Sequence, residues 1–534
     1  MIGVFLARHI HCRSWQQTEG AHCSGSMQHL PRRWKPSHAA NTLELQPLTT
    51  EERSEDHEEL SPPTVPEELQ LHRLTNLGVP ACYLVVGTCQ GLFRPLLNVY
   101  PLALGATEAQ QTTLATIATV PAALKLLYGF GSDAMPIYGY RRKPYLFLGW
   151  LLSTCSMFQL AYTTQLVKEP NDETPTMPHL TISFFLFGLG LWIADVMADS
   201  IVAQKARLED DRIRGQLQST CYACRFFGLM VAAPLTTWVY DDFGPFWIVT
   251  ALGTLPILLW PLIFTLAEDR TAWVPLEQQL SEIWNLVCRQ SVWQPMAFVY
   301  LFNLLQVTNA AWRQFLHTVY GFGPGELNSL LVASYVLLYV GTMVYKYCFL
   351  HASWRLVYQV CLFLNAIVSS LQLLLIRGIS FSPFWFALGD DAMAEFLTGL
   401  QFLPVSLLMV SLCPPGSEGA SYAMLTTVWN SAMMLAPAWS SLLLGIWDTS
   451  EAAMERGDLD GLFNLSILTT LIQLSPVLIL RWLPHGREDL LELSNKPGSP
   501  VGGAIFLCVL FGSMFWTLLV ALLNIVKPGW AGGS

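Results

Sequence analysis

Residues 179–207 read HLTISFFLFGLGLWIADVMADSIVAQKAR, a long apolar run that carries two aspartates and closes on a lysine and an arginine. A helix rising 1.5 Å per residue crosses a hydrocarbon core of about 30 Å in about 20 residues. Backbone amides find no water in that core, so a run of this length is helical. Asp195 and Asp199 stand at i, i+4 and share one face of the helix. Acids at such depth face a wet cavity or a partner and are functional candidates. Lys205 and Arg207 mark the end expected on the cytoplasmic side, where short loops are rich in Lys and Arg.

The same kind of run recurs along the chain. Twelve blocks are read at about 76–98, 108–131, 145–164, 179–203, 215–239, 244–266, 293–316, 327–347, 354–376, 384–412, 418–446 and 461–483. A further apolar block, 503–526, follows a linker of Gly, Pro and Ser and is a possible thirteenth span. The composition agrees: 52% of the chain is apolar, 13% is charged, and the mean hydropathy is +0.40. Soluble domains carry about twice that charged fraction, so an ordinary soluble enzyme is excluded. With 29 basic against 39 acidic side chains the net charge is −10, which excludes a nucleic-acid binder. The twelve cysteines lie mostly singly and mostly within apolar runs, and the one close pair, Cys221 and Cys224, has no second pair to complete a zinc set, so they read as packing. No His-Glu-x-x-His set, nucleophile elbow or phosphate loop is present, which argues against an enzyme and implies neither a cofactor nor a metal.

Charge in the short connections sets the orientation. Arg141, Arg142 and Lys143 lie between blocks 2 and 3, and Lys205, Arg207, Arg212 and Arg214 between blocks 4 and 5. The opposite connections, 3–4 and 5–6, hold only Lys168, which makes the basic loops and the N-terminus cytoplasmic. Residues 1–72 form a polar and acidic tail expected to be disordered, its first forty residues having the basic bias of an organellar transit peptide. The longest connection, 267–292, carries Leu276, Leu280, Ile283, Trp284 and Val287 at helical spacing and reads as an interfacial amphipathic helix. It divides the array into six helices over 73–266 and six over 293–484, with a polar linker over 485–502 and the extra block and tail over 503–534. Two six-helix bundles with basic inner loops describe an all-α, multi-pass, major facilitator architecture with the substrate between the bundles.

Four ionisable residues of the first bundle share one depth. Counting from the basic ends, Lys125 and Asp199 lie roughly 12 Å deep, Arg225 roughly 16 Å and Asp195 roughly 18 Å. Either they form a charge network that locks the bundle, or protonation of an aspartate frees a base to hold an anionic substrate and so couples proton to solute. Arg94, near the outer end of block 1 with Gln90 one turn before it, is a second anion contact or a side chain snorkelling to the surface. In the second bundle Asn303, Gln306, Asn309 and Arg313 recur at spacings of three and four, which predicts one face of a continuous helix lining a cavity. Asp390, Asp391 and Glu395 lie near the outer end of block 10, where a solvated mouth would expose them.

Four stretches resemble the folate-biopterin transporter family, a branch of the major facilitators. They are Lys125 to Asp133 with Pro136 to Pro144, Ala194 to Arg207, Gly215 to Arg225, and Ala387 to Glu395 with Leu412 to Gly419. Gly129 to Asp133 followed by Gly139 to Lys143 also matches the general facilitator loop signature, with a short insertion. The resemblance spans about 75–484 and implies a proton-coupled carrier of folates or pterins. Gln204 departs from the pattern, standing where an acidic residue is expected. Asp133 is positioned to pair with Arg141 or Arg142 and close an inner gate, with Gly129 and Gly131 allowing close approach. Pro414 and Pro415 stop block 10, Gly416 permits the reversal, and Glu418 complements the dipole of the next helix.

The resulting expectation is a secondary active transporter in which Lys125 and Arg225, helped by Arg94, hold substrate carboxylates. Asp195 or Asp199 takes the proton, and the amides of Asn303 and Asn309 bond the pterin edge. A carrier of S-adenosylmethionine is the alternative substrate class, and a non-transporting receptor or scaffold the alternative of another kind. The plasma membrane is the expected location and a plastid or other organellar membrane the alternative, with substrate, protons and lipid as the only partners.

Overall fold

A computed structural model describes residues 70–71, 73–166, 176–210, 213–379 and 382–526. The tail expected over 1–72 falls almost wholly outside them, as do Lys168 and Arg212. The membrane helices are α1 (Leu74–Asn98), α2a (Glu108–Ala123), α2b (Lys125–Ala134), α3 (Lys143–Leu166), α4 (Met177–Lys205), α5 (Gln216–Phe243) and α6 (Pro245–Thr265). A linker helix, Leu276–Val287, leads to α7a (Gln290–Leu304), α7b (Trp312–Thr318), α8 (Pro324–Val344), α9 (Trp354–Ile376), α10 (Pro383–Leu412), α11 (Glu418–Leu443), α12 (Asp460–Leu474) and α13 (Pro500–Val526). Among the described residues, 10 helices are long and apolar enough to cross a membrane, α2a and α2b counting as one, and the protein is a multi-pass membrane protein. Helices α5, α7 and α11 are not among them: α7 is in two short pieces, and α5 and α11 carry polar residues along a buried face.

Helix pairing shows a repeat that the sequence hides. Helices α1 and α5, α2 and α4, and α3 and α6 pack as pairs, and six helices later α7 and α11, α8 and α10, and α9 and α12 do the same. The two sets meet through α5 against α8 and α2b against α11.

Two spans expected to be continuous are broken. Pro121 removes a backbone donor from the second span, and the chain takes a tight turn at Leu124 (φ −90°, ψ 7°) before Lys125 starts α2b. The seventh span unwinds after Leu304 and resumes at Trp312. Polar side chains of this span and of α11 serve the freed backbone: Oδ1 of Asn309 accepts from the Ala311 amide at 3.0 Å, and the Ser440 hydroxyl of α11 accepts from the Thr308 amide at 3.2 Å. Irregular backbone at this depth is tolerated where it is buried in protein or lines a cavity.

The apolar block at 503–526 is a full helix, α13, and at 1.5 Å per residue it is long enough to span. It starts beside α7a, where the Ser499 amide donates to the Cys288 carbonyl at 2.7 Å, and it stays alongside, with the Ser513 and Tyr300 hydroxyls 3.2 Å apart. Its inner face, carrying Phe506, Leu510 and Met514, is buried, and the helix packs on α2a, α7a and α11.

Close helix approach depends on small residues. A Cβ on Gly87 of α1 would stand 1.8 Å from the Arg225 carbonyl of α5, whereas one on Gly131 would meet nothing within 4 Å. Overpacking a tight contact costs about 1–3 kcal/mol. Gly87→Leu is therefore expected to cut the yield of monodisperse protein in detergent size-exclusion chromatography severely, with Gly131→Ala behaving as the parent; equal yields would show that the α1–α5 contact can relax.

Candidate functional site

A cavity of about 510 Å³ lies between the two sets of helices, lined by Lys125, Asp199 and Arg225 from the first six and by Gln306, Phe402 and Trp429 from the second. It extends from Tyr222 and Thr426 at mid-helix toward Pro437 and Ser440 near the far end of α11.

One wall is built on Asp195. Its Oδ2 lies 2.7 Å from Lys125 Nζ and its Oδ1 2.8 Å from Arg225 Nη1, so both carboxylate oxygens are bound by cations. Asp195 is 1% exposed and Lys125 4%, and a triad this dry survives only when each charge is partnered. Lys125 also sits 4.2 Å from the Trp192 ring centroid, a cation–π contact, and Arg225 Nε donates to Gln90 at 3.3 Å. Asp199, one turn along α4, accepts instead from the Tyr83 hydroxyl and, at 3.5 Å, from that of Tyr222. The four charges singled out from their shared depth thus occupy one site, Asp195 as the bridge and Asp199 as an acid with hydroxyl partners.

The opposite wall is aromatic. Phe402 of α10 packs edge-on to Tyr222 (4.6 Å between centroids) and Phe226 (4.9 Å), and lies 4.9 Å from Trp429 of α11. Gln306 Nε2 and Trp429 Nε1 are buried in this wall without a hydrogen-bond partner.

Other expected contacts are distributed differently. Asn303 and Gln306 line the cavity, but Asn309 is not among its lining residues and gives its amide to Ser466 at 2.7 Å. Arg313 is exposed, because the unwound stretch breaks the helical register that would have aligned it with Asn303. Arg94 is exposed on α1 and lies 5.4 Å from the Tyr335 ring of α8. Glu395 lines the cavity, whereas Asp390 is buried and accepts from Gln372 at 2.6 Å, which corrects the reading of a solvated mouth at that position.

The end bearing the basic loops is closed. Asp133, at the end of α2b, pairs with Arg142 and accepts from the Ala420 amide at 2.6 Å. Arg207 Nη1 lies 3.1 Å from Glu418, and the Gly416 and Cys413 carbonyls accept from Arg141 (2.8 Å) and Arg207 (2.6 Å). The Pro414-Pro415-Gly416 turn, with Gly416 at φ +87°, brings those carbonyls and Glu418 to the loops of the first six helices. A Cβ on Gly129 would come within 2.3 Å of the Gly419 carbonyl, so only glycine lets α2b and α11 meet here. Glu268 of the linker clamps the loop, accepting from the amides of Arg141, Arg142 and Lys143 at 2.8, 2.7 and 2.8 Å.

A family model described as the BT1 family matches residues 87–499. The chain belongs to the BT1 family. A "Folate-biopterin transporter" of Synechocystis is 26% identical over 436 residues, covering 79% of this chain and 84% of its own. "Folate transporter 1" of Plasmodium falciparum is 22% identical, with 71% and 73% covered. In fold, the chain is similar to the major facilitator proton:xylose symporter XylE (TM-score 0.58, 12% identity, 79% of this chain and 98% of that one). It is similar also to the human organic anion transporter MFSD10 (TM-score 0.55, 14% identity, 78% and 100%). As a BT1 family member the protein is a membrane transporter and not an enzyme, and its fold is that of the major facilitators.

Sequence reasoning missed the three tyrosines around Asp199 (Tyr83, Tyr222, Tyr422) and the aromatic wall; a hydroxyl in mid-span, which demands a partner, was the available signal. Removing one partner of a buried ion pair costs about 3–5 kcal/mol. Arg142→Ala is accordingly expected to open the closed end, read as slower labelling of a Met433→Cys thiol in the cavity by an impermeant maleimide added from the opposite side. Unchanged labelling would mean that Arg142 does not hold the closure.

Proposed function

We propose that the chain carries folate or pterin solutes by alternating access, with proton coupling. Support comes from one cavity that offers a cationic wall and an aromatic wall to the same ligand, with the side chains of Asn303 and Gln306 beside them. With Asp195 balancing one of Lys125 and Arg225, the wall carries one net positive charge when Asp199 is protonated and none when it is ionised. Protonation therefore makes the site receptive to an anion, and release of the proton expels it. Folate fits in class: its carboxylates suit Lys125 and Arg225, and its flat ring suits Phe402 and Trp429, with Asn303 and the partnerless Gln306 amide at its edge. The relatives named for folate and biopterin transport favour the same solutes.

In this reading the Asp133–Arg142 and Arg207–Glu418 contacts close the cytoplasmic end while the cavity faces out. The Lys and Arg of the short loops at that end favour the cytoplasmic assignment. Arg94, exposed beside Tyr335, meets the solute before the central site does.

Uptake of labelled folate and biopterin by transport-deficient cells tests the reading. Arg225→Ala and Asp199→Asn are each expected to lower uptake at least about tenfold, the effect of about 1.4 kcal/mol, at equal surface expression. The parent rate is expected to rise as the external medium is acidified. Wild-type rates in both variants would remove these residues from transport, and competition by S-adenosylmethionine but not by folate would reassign the substrate.

A further inference from the structure

The transport reading leaves unused a hydrogen-bond chain that leads away from Asp199. The Tyr222 hydroxyl, 3.5 Å from Asp199 Oδ1, is 3.2 Å from the Tyr422 hydroxyl, and Gln218 Nε2 donates to Tyr422 at 3.0 Å. All four residues are buried. A tyrosine hydroxyl has one proton to give. When Tyr222 spends its proton on the Asp199 carboxylate, Tyr422 must donate to Tyr222, and the Tyr422 oxygen accepts from Gln218. The chain then has a single direction, from Gln218 to Asp199.

Its far end holds the complementary feature. Gln218 Oε1 is buried without a hydrogen-bond partner. A half-turn of that amide brings Oε1 to the place of Nε2, where it accepts from Tyr422. With a proton on Asp199, and Tyr83 still donating to the carboxyl, the whole chain reverses: the carboxyl donates to Tyr222, Tyr222 to Tyr422, and Tyr422 to Gln218. Asp199, Tyr222 and Gln218 belong to the first six helices, whereas Tyr422 lies on α11, one turn from the gate residue Glu418.

We propose that Tyr222, Tyr422 and Gln218 are positioning residues whose hydrogen-bond chain reports the protonation of Asp199 to α11 and so to the closed end. The proposal rests on the proton-coupled reading above. The titratable and charged groups facing Asp199 are Tyr83 from α1, Lys125 from α2b, Asp195 on its own helix, Cys221, Tyr222 and Arg225 from α5, Cys413 at the end of α10, and Tyr422 from α11. Of the two from the second six, Tyr422 is the one hydrogen-bonded into the chain, whereas Cys413 Sγ donates to the Met409 carbonyl.

The test compares proton-driven net uptake of labelled folate across a pH series with exchange of labelled for unlabelled folate, which moves no net proton. Tyr422→Phe is expected to lower net uptake about tenfold, the effect of one buried hydrogen bond in a charged network, and to leave exchange at the parent rate. Gln218→Met, which removes only the far end of the chain, is expected to separate the two rates in the same way. Tyr222→Phe takes a donor from the ionised carboxylate, so the midpoint of the uptake curve is expected to move to higher pH by about one unit. Equal loss of exchange and net uptake in Tyr422→Phe and Gln218→Met would mark a merely structural role and overturn the proposal. Parent-like curves in all three variants, with a pH-dependent parent, would overturn the chain while leaving proton coupling intact. A parent whose uptake ignores pH would sink the proton-coupled reading and this inference with it.

Discussion

The carboxylate of Asp195, shared between Lys125 and Arg225, is the constraint on which the rest of the first six helices depends. Desolvating three charges is costly, and only mutual pairing offsets it. Pairing requires α2b, α4 and α5 to present their side chains at one point, which fixes three helices by a single contact. One carboxylate cannot neutralise two cations. The surplus charge is what Asp199, one turn away and bound to hydroxyls instead of cations, is placed to balance.

The broken seventh span is the counterpart in the second six helices. Between Leu304 and Trp312 the chain gives up helical bonds and is held by side chains from elsewhere: Gln473 Nε2 donates to the Val307 carbonyl at 2.9 Å, and Asn309 is tied to Ser466. The break is bonded to α11 and α12 through Ser440, Ser466 and Gln473, and it leaves Gln306 Nε2 buried without a hydrogen-bond partner among the described residues. The first bundle thus supplies the basic side chains, and the second supplies the amides of Asn303 and Gln306, the rings of Phe402 and Trp429, and the acid Glu395. That division suits a solute with an anionic end and a flat heteroaromatic end.

Much of this was legible in the sequence, for physical reasons. Spans follow from apolar length, the basic end from Lys and Arg in short loops, and the site charges from the cost of burying them. What failed was reading by period. Asn303, Gln306, Asn309 and Arg313 align only on an unbroken helix, and no Pro or Gly marks the unwinding between Leu304 and Trp312. Contacts between distant segments were equally hidden: Gly129 against Gly419, Tyr222 against Tyr422, and α13 against α2a join residues whose neighbours in sequence say nothing of the partner. Asp390 was misjudged because position along a span does not reveal whether a neighbouring helix, here with Gln372, covers it.

Helix α2b joins the two sites that matter. Lys125 begins it and Asp133 lies eight residues on, a rise of about 12 Å, so the residue that grips Asp195 and the residue that closes the basic end belong to one short rigid rod. The turn at Leu124 frees that rod from α2a, and Gly129 sets it against α11 at backbone contact midway along its length. At its far end Arg142 and the start of α11 meet the Asp133 carboxylate. The turn at Leu124 therefore puts the partner of Asp195 and the partner of Arg142 on one short helix, set off from α2a.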